Sequence, residues 1–195
     1  MWFHQAAGKL SNDTAEVFNN STSLWEPLPF KVLLSQSGRW VGRTESFANR
    51  RVLLSPQKID ETVQVLRLTA DDVEFLLYSE QPNITKNKSY LFDYTIMNVE
   101  PGYAELFELV DTPMSSGMSG RKVENSLGLF PIATDRFAGQ AGSIVRDMNQ
   151  SRLNLFLPTY CGAKREHFIR WNGYYYDIKE VYPELRILHL IVTQR

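Results

Sequence analysis

Metal and nucleophile chemistry require donor side chains brought together at recognisable spacings. This chain has three histidines, His4, His167 and His189, and one cysteine, Cys161. They are widely scattered and form neither C-x-x-C nor H-x-x-x-H, so nothing in the spacing points to a metal. Cys161 and His167 are near enough in sequence for a thiolate pair, yet Cys161-Gly162-Ala163-Lys164 reads as a plain turn. Ser116-Gly117-Met118-Ser119-Gly120 superficially resembles a nucleophile elbow, but it lacks the Gly-x-Ser-x-Gly order and a flanking strand and helix. Asp71-Asp72 falls in a turn, and Glu105 and Glu108 fall on opposite faces of a strand. Neither a Walker-type loop nor G-x-G-x-x-G occurs. The expectation is a protein without catalytic residues, metal or cofactor, acting by binding or as a structural part.

Two stretches interleave aromatic residues with cations: Arg39-Trp40-Val41-Gly42-Arg43, and Arg165 through Trp171. Such a pattern can stack on bases, but a formal net charge of -1 lacks the basic excess of a dedicated nucleic-acid binder. Arg, Trp and Tyr are also enriched where proteins grip one another. Arg39, Trp40 and Arg43 are therefore candidate partner contacts. Met114, Met118, Arg121 and Lys122 join them, because they bring flexible thioethers and charge to a Gly-, Ser- and Met-rich segment.

The elements that must position these residues are read most clearly at the C-terminal end. His167 to Trp171, Tyr174 to Val181 and Arg186 to Thr193 are rich in Val, Ile, Tyr and Phe and are separated by Asn172-Gly173 and by Tyr182-Pro183-Glu184. This predicts a three-stranded antiparallel meander. Asn-Gly suits a type I′ hairpin, whose two central residues both need positive φ. Tyr174, Tyr176 and Ile178 alternate with Tyr175, Asp177 and Lys179, so one face is apolar and the other partly wet. The last strand, Ile187 to Val192, is interrupted only by His189, which predicts burial on both sides. Tyr176, Ile178, Leu188 and Leu190 are the predicted core.

Upstream, Met1 to Pro29 reads as an irregular arm with one helical turn near Asp13 to Phe18. Phe30 to Ser35 and Arg39 to Thr44 read as a hairpin, and Arg50 to Ser55, Val63 to Thr69 and Val73 to Ser79 as further strands. Tyr90 to Glu100 is strongly β, Pro101-Gly102 marks a turn, and Tyr103 to Asp111 is expected to run back along it. Thr112 to Ser151 shows no strand period, and its best regular piece is a short helix around Ser143 to Met148. The chain thus divides into an arm (1–29), a first β unit (30–111), a long loop (112–151) and a C-terminal meander (152–195). Tyr90 to Tyr94 resembles Tyr174 to Ile178, and Glu74 to Tyr78 resembles Asn154 to Pro158, which suggests a duplicated β unit with Asp93 matching Asp177. Generic likeness between aromatic meanders is the alternative.

Hydrophobic content of 43% and charged content of 22% over 195 residues describe an ordinary globular protein. No apolar run has the length of a membrane helix and Met1 to Leu10 lacks an apolar signal region, so residence in the cytoplasm or assembly from it is expected. The single cysteine rules out an internal disulfide.

Ile169-Arg170-Trp171-Asn172-Gly173-Tyr174-Tyr175-Tyr176-Asp177-Ile178, followed by the apolar strand Ile187 to Val192, resembles the closing strands of tailed-bacteriophage head-closure (head–tail connector, or stopper) proteins. The resemblance implies a mainly β fold with little helix, built on a small SH3-like antiparallel β-barrel with a projecting loop; the chain departs from the usual single-barrel member in its length and in its two tandem β units. It implies a non-enzymatic virion subunit of the phage neck, assembled in the host cytoplasm. Its partners would be its own copies in a six- or twelve-fold ring, the portal or an adaptor on the head side, and the tail terminator or tail tube below. Packaged DNA would pass through the channel, with no membrane involved. Thr112 to Glu124 is the natural candidate for the projecting loop. A tail terminator or tail-completion protein, a nucleic-acid-binding barrel and an enzyme with an unrecognised site are the alternatives.

Overall fold

The computed structural model of the chain describes residues 13–35, 50–82, 91–112, 121–134 and 152–195. Among these the regular structure is almost wholly antiparallel strand. The strands are β1 (Ala15–Asn19), β2 (Leu24–Pro27), β3 (Leu33–Ser35), β4 (Arg50–Ser55), β5 (Val65–Leu68), β6 (Val73–Pro82), β7 (Phe92–Asn98), β8 (Ala104–Thr112), β9 (Arg121–Phe130), β10 (Ala133–Thr134), β11 (Arg152–Pro158), β12 (Phe168–Trp171), β13 (Tyr174–Pro183) and β14 (Ile187–Gln194). One 3-10 turn, Thr159–Cys161, follows β11. Among the described residues no helix is long and apolar enough to cross a membrane. The predicted return strand at Arg39 to Thr44 and helix at Ser143 to Met148 lie outside the described residues.

The chain divides into two compact units that meet in sequence between Val99 and Glu100. Each is a seven-stranded sheet, ordered β2-β1-β5-β6-β7-β4-β3 in the first and β10-β11-β14-β13-β12-β8-β9 in the second. Each encloses its own apolar cluster. Val17, Leu53, Leu66, Phe75, Leu77, Tyr94 and Ile96 lie in the first, and Leu106, Leu155, Ile169, Tyr176, Ile178, Leu190 and Val192 in the second. These residues recur at every second position along their strands, so each cluster lies on one face of its sheet, while Leu76 and Met97 in the first sheet and Phe156 and Phe168 in the second are buried on the opposite face. Neither sheet closes through a continuous ladder. In the first, the residues just before β1 and just before the edge strand β3 meet at one bridge, where Asp13 and Val32 exchange backbone hydrogen bonds of 2.9 and 3.0 Å.

The C-terminal meander forms as its pattern predicts. β12 pairs with β13 and β13 with β14. Asn172 and Gly173 have φ of 50° and 81°, the two positive values of a type I′ turn. Tyr176, Ile178, Leu188 and Leu190 are all buried, whereas Tyr174 at the hairpin end is exposed. On the opposite face of β14, Ile187 is buried, while His189 is half-buried and stacks on Phe156 with ring centroids 4.8 Å apart. Burial on both sides therefore holds at the start of the strand and is partial farther along.

Three expectations need correction. Asp13 to Phe18 does not form a helical turn; Ala15–Asn19 is a strand, because Ala15 and Val17 point into the core while Glu16 and Phe18 do not. Tyr103 to Asp111 does not run back along β7, since both edges of β7 are already occupied by β6 and β4. The chain instead turns at Gly102, with φ of 80°, and enters the second sheet. The segment expected as one long loop contains β9 and β10. β9 shows no strand period in its sequence because much of it is exposed on both faces, so no buried face imposes apolar alternation.

The two sheets also repeat one plan, but not in the expected register. Counting β8 to β14 afresh from one to seven, and reading the second sheet from its β9 edge, makes the two strand orders the same. Glu16 lies opposite Arg67 as Glu105 lies opposite Arg170. β6 and β13 have 10 residues each, carry a bulge at their sixth residue (Tyr78, Lys179) and end on a proline. Ala15-Glu16-Val17-Phe18 thereby matches Ala104-Glu105-Leu106-Phe107, and Arg50, Leu53 and Pro56 match Arg152, Leu155 and Pro158. The match of Asp93 to Asp177 fails: the counterpart of β7 is β14, and that of β13 is β6. The two aromatic stretches share composition but occupy different places in their sheets.

Candidate interaction surface

β8 and β9 are hydrogen-bonded over their whole length, from the Ala104/Phe130 pair to the Thr112/Arg121 pair, with a bulge opposite Leu106 and Phe107. β12 covers the other edge of β8 only at Glu105, Leu106 and Phe107. Beyond that point Glu108–Thr112 and Arg121–Asn125 stand as a two-stranded ribbon at the sheet edge. Such a ribbon is marginal in water without further packing. Leu109, Val110 and Val123 on it are exposed by 42%, 42% and 46%, and Val110 lies directly opposite Val123. The corresponding hairpin of the first unit, β1 with β2, is much shorter.

At its base the ribbon is held by polar contacts. Asn125 Nδ2 donates to Glu108 Oε1 at 2.8 Å, and Ser126 Oγ to Glu105 Oε1 at 2.8 Å. Glu105 also pairs with Arg170, whose guanidinium lies 5.3 Å from the Phe107 ring centroid. Phe107 stacks on Phe168 at 5.1 Å, and Arg195 lies 4.3 Å over the other ring of that pair, Phe168. Hydrogen bonds with Tyr175 and Glu105 raise the Arg170 pKa further above its ordinary value. Burial pushes the Asp177 carboxyl upward, but Arg195 and Lys179 outweigh it and hold the group below the usual carboxylate value. Glu124, Gly173, Tyr174, Tyr175, Gln194 and Arg195 line a recess beside the ribbon.

Of the candidate contacts read from sequence, Arg39, Trp40, Arg43, Met114 and Met118 lie outside the described residues. Arg121 opens β9, and Lys122 is exposed on it. Leu109, Val110 and Val123 were missed. Their only signal was an apolar residue on each side of the Gly- and Ser-rich segment, Leu109 and Val110 in a strand expected to run back along the preceding one and Val123 in the expected loop. In the stretch from Arg165 to Trp171, Trp171 is buried and its Nε1 donates to the Gly102 carbonyl at 3.2 Å. Phe168 is buried too, so these rings are not platforms for bases.

Among the described residues, Cys161 and His167 sit in structural surroundings. Burial pushes the Cys161 thiol up to about 11, so it is protonated at neutral pH and a poor nucleophile. His167 Nδ1 accepts a hydrogen bond from the Lys164 backbone N–H at 3.2 Å. Among the described residues no cluster of His, Cys, Asp and Glu could hold a metal ion. What the arrangement offers is a β edge with exposed apolar side chains, suited to another polypeptide. No family model, curated protein or solved structure matches the chain.

Proposed function

We propose that this chain is a structural virion protein of the phage neck, a head–tail connector or head-closure ring subunit that joins portal to tail and helps retain packaged DNA. The observation that carries the reading is the meander β12-β13-β14. The residues that resemble the closing strands of head-closure proteins form one continuous hairpin pair with a type I′ turn at Asn172-Gly173 and a largely buried final strand. On this reading each sheet is a small SH3-like barrel. The bridge from Asp13, just before β1, to Val32, just before the edge strand β3, supports that description in the first unit. The exposed ribbon of β8 and β9 supports a role in assembly, since a subunit that works alone has little use for Leu109, Val110 and Val123 at its surface.

The test is to locate the chain in virions of the phage that encodes it. Electron microscopy of particles carrying an epitope-tagged copy should place label at the vertex where head meets tail, in six- or twelve-fold copy. Particles lacking the protein should contain leaky, tailless heads. Label elsewhere on the particle, or mature virions without the chain, would overturn the proposal.

A further inference from the structure

The repeat of one sheet plan isolates what the second unit has beyond the first. Both units build the same seven-stranded order, but β1 and β2 span 5 and 4 residues where β8 and β9 span 9 and 10. The extension is thus not needed for the sheet, and it exposes Leu109, Val110 and Val123. Among the described residues β9 is also the last strand of its sheet, so one row of its backbone donors and acceptors has no strand partner there, a template for another strand.

The sequence along that edge says which strand fits. Lys122, Val123 and Glu124 are all exposed, and a lysine on an edge ordinarily deters pairing. Here the glutamate two residues on removes the obstacle if the partner is the same strand. In an antiparallel pair centred on Val123, Val123 meets its own copy and Lys122 of each chain lies opposite Glu124 of the other. A two-fold contact uses every such interaction twice, and opposite charges across strands are stabilising where like charges are not. Because Val110 lies beside Val123 and Asp111 beside Lys122 within the hairpin, the four-stranded ribbon would carry a row of four valines. On its other face each lysine would lie between two acids. Glu124 lines the recess that also holds Arg195, but Arg195 is engaged with Asp177. Among the described residues neither Lys122 nor Glu124 has an ion pair.

We propose that the outward edge of β9 is a self-association surface: in the free protein it pairs antiparallel with β9 of a second copy of this chain, in the register centred on Val123. The contact belongs to the free protein and is not the contact between neighbours in a ring, which a two-fold pairing cannot close; it goes beyond the assembly reading and is tested without particles. Sedimentation velocity of the purified full chain over a concentration series should show a monomer–dimer equilibrium. K122E, which sets two carboxylates against each other at both symmetry-related pairs with Glu124, should weaken dimerisation about tenfold or more, and E124K should do the same. The double variant K122E/E124K restores opposite charges in the same register and should recover dimerisation. Melting temperatures within a degree or two of wild type check that each variant folds. A wild-type chain that stays monomeric at every concentration would overturn the proposal, as would a dimer indifferent to K122E or a double variant weaker than either single one. Particles with the protein absent from the neck would count against the proposed function and leave this contact standing.

Discussion

At the scale of single residues, the clearest energetic statement concerns Ile178. It is 2% exposed in the core of the second sheet, so Ile178→Ala loses its burial and leaves a cavity. The expected cost is about 2–5 kcal/mol, read from urea unfolding midpoints. A midpoint unchanged from wild type would show that the side chain does not fill that core. Asp177, one residue before it, points to the opposite face and pairs with Arg195 and Lys179. Its folded-state pKa lies below the unfolded value, so the pair contributes stability above the ordinary carboxylate range. That contribution is lost as pH falls through the depressed value. Asp177→Asn should therefore be slightly less stable than wild type near neutral pH, by less than about 1 kcal/mol because the pair is solvent-screened. The difference should close on acidification, as followed by thermal melts across pH. A gap that widened toward low pH would contradict the sign.

Among the elements, the hairpin of β12 and β13 and the ribbon of β8 and β9 differ in how they are held. The first has a turn in which Gly173 sits at φ of 81°, and a Cβ there would meet no atom within 4 Å. Gly173→Ala is thus strained by its backbone conformation and not by contact, with an expected cost of about 1–2 kcal/mol. Chemical denaturation of the variant measures it, and a neutral result would mean that the turn relaxes to another type. The ribbon relies on Asn125 with Glu108 and on Ser126 with Glu105 at its base. Its outer valines face water, so Val123→Thr should change the stability of the monomer by no more than about 0.5 kcal/mol. A larger loss in dilute protein, where self-association is absent, would show that Val123 supports the fold of its own chain.

For the whole molecule, the repeated plan makes a prediction that belongs to neither unit alone. Experimentally determined coordinates should superpose β1–β7 on β8–β14 with Glu16 on Glu105, Arg67 on Arg170 and Arg50 on Arg152, and a different strand order in either unit would refute the repeat. Much of this protein was legible as text: its β class, the strands from Arg50 to Ser79, the Asn172-Gly173 turn and the buried set Tyr176, Ile178, Leu188 and Leu190. These follow from local alternation and turn chemistry, in which each residue's preference is expressed within a few neighbours. Which strand lies beside which was not local. Pro101-Gly102 announces a turn without saying whether the next strand returns to β7, and only the filling of both β7 edges by β6 and β4 sends β8 to another sheet. The likeness of Tyr90–Tyr94 to Tyr174–Ile178 was a likeness of composition, and the true counterparts emerged from register and strand order. β9 was hidden for a related reason. A strand pairing on one edge with water on both faces carries no apolar period, so its existence is decided by the backbone of β8 and not by its own side chains.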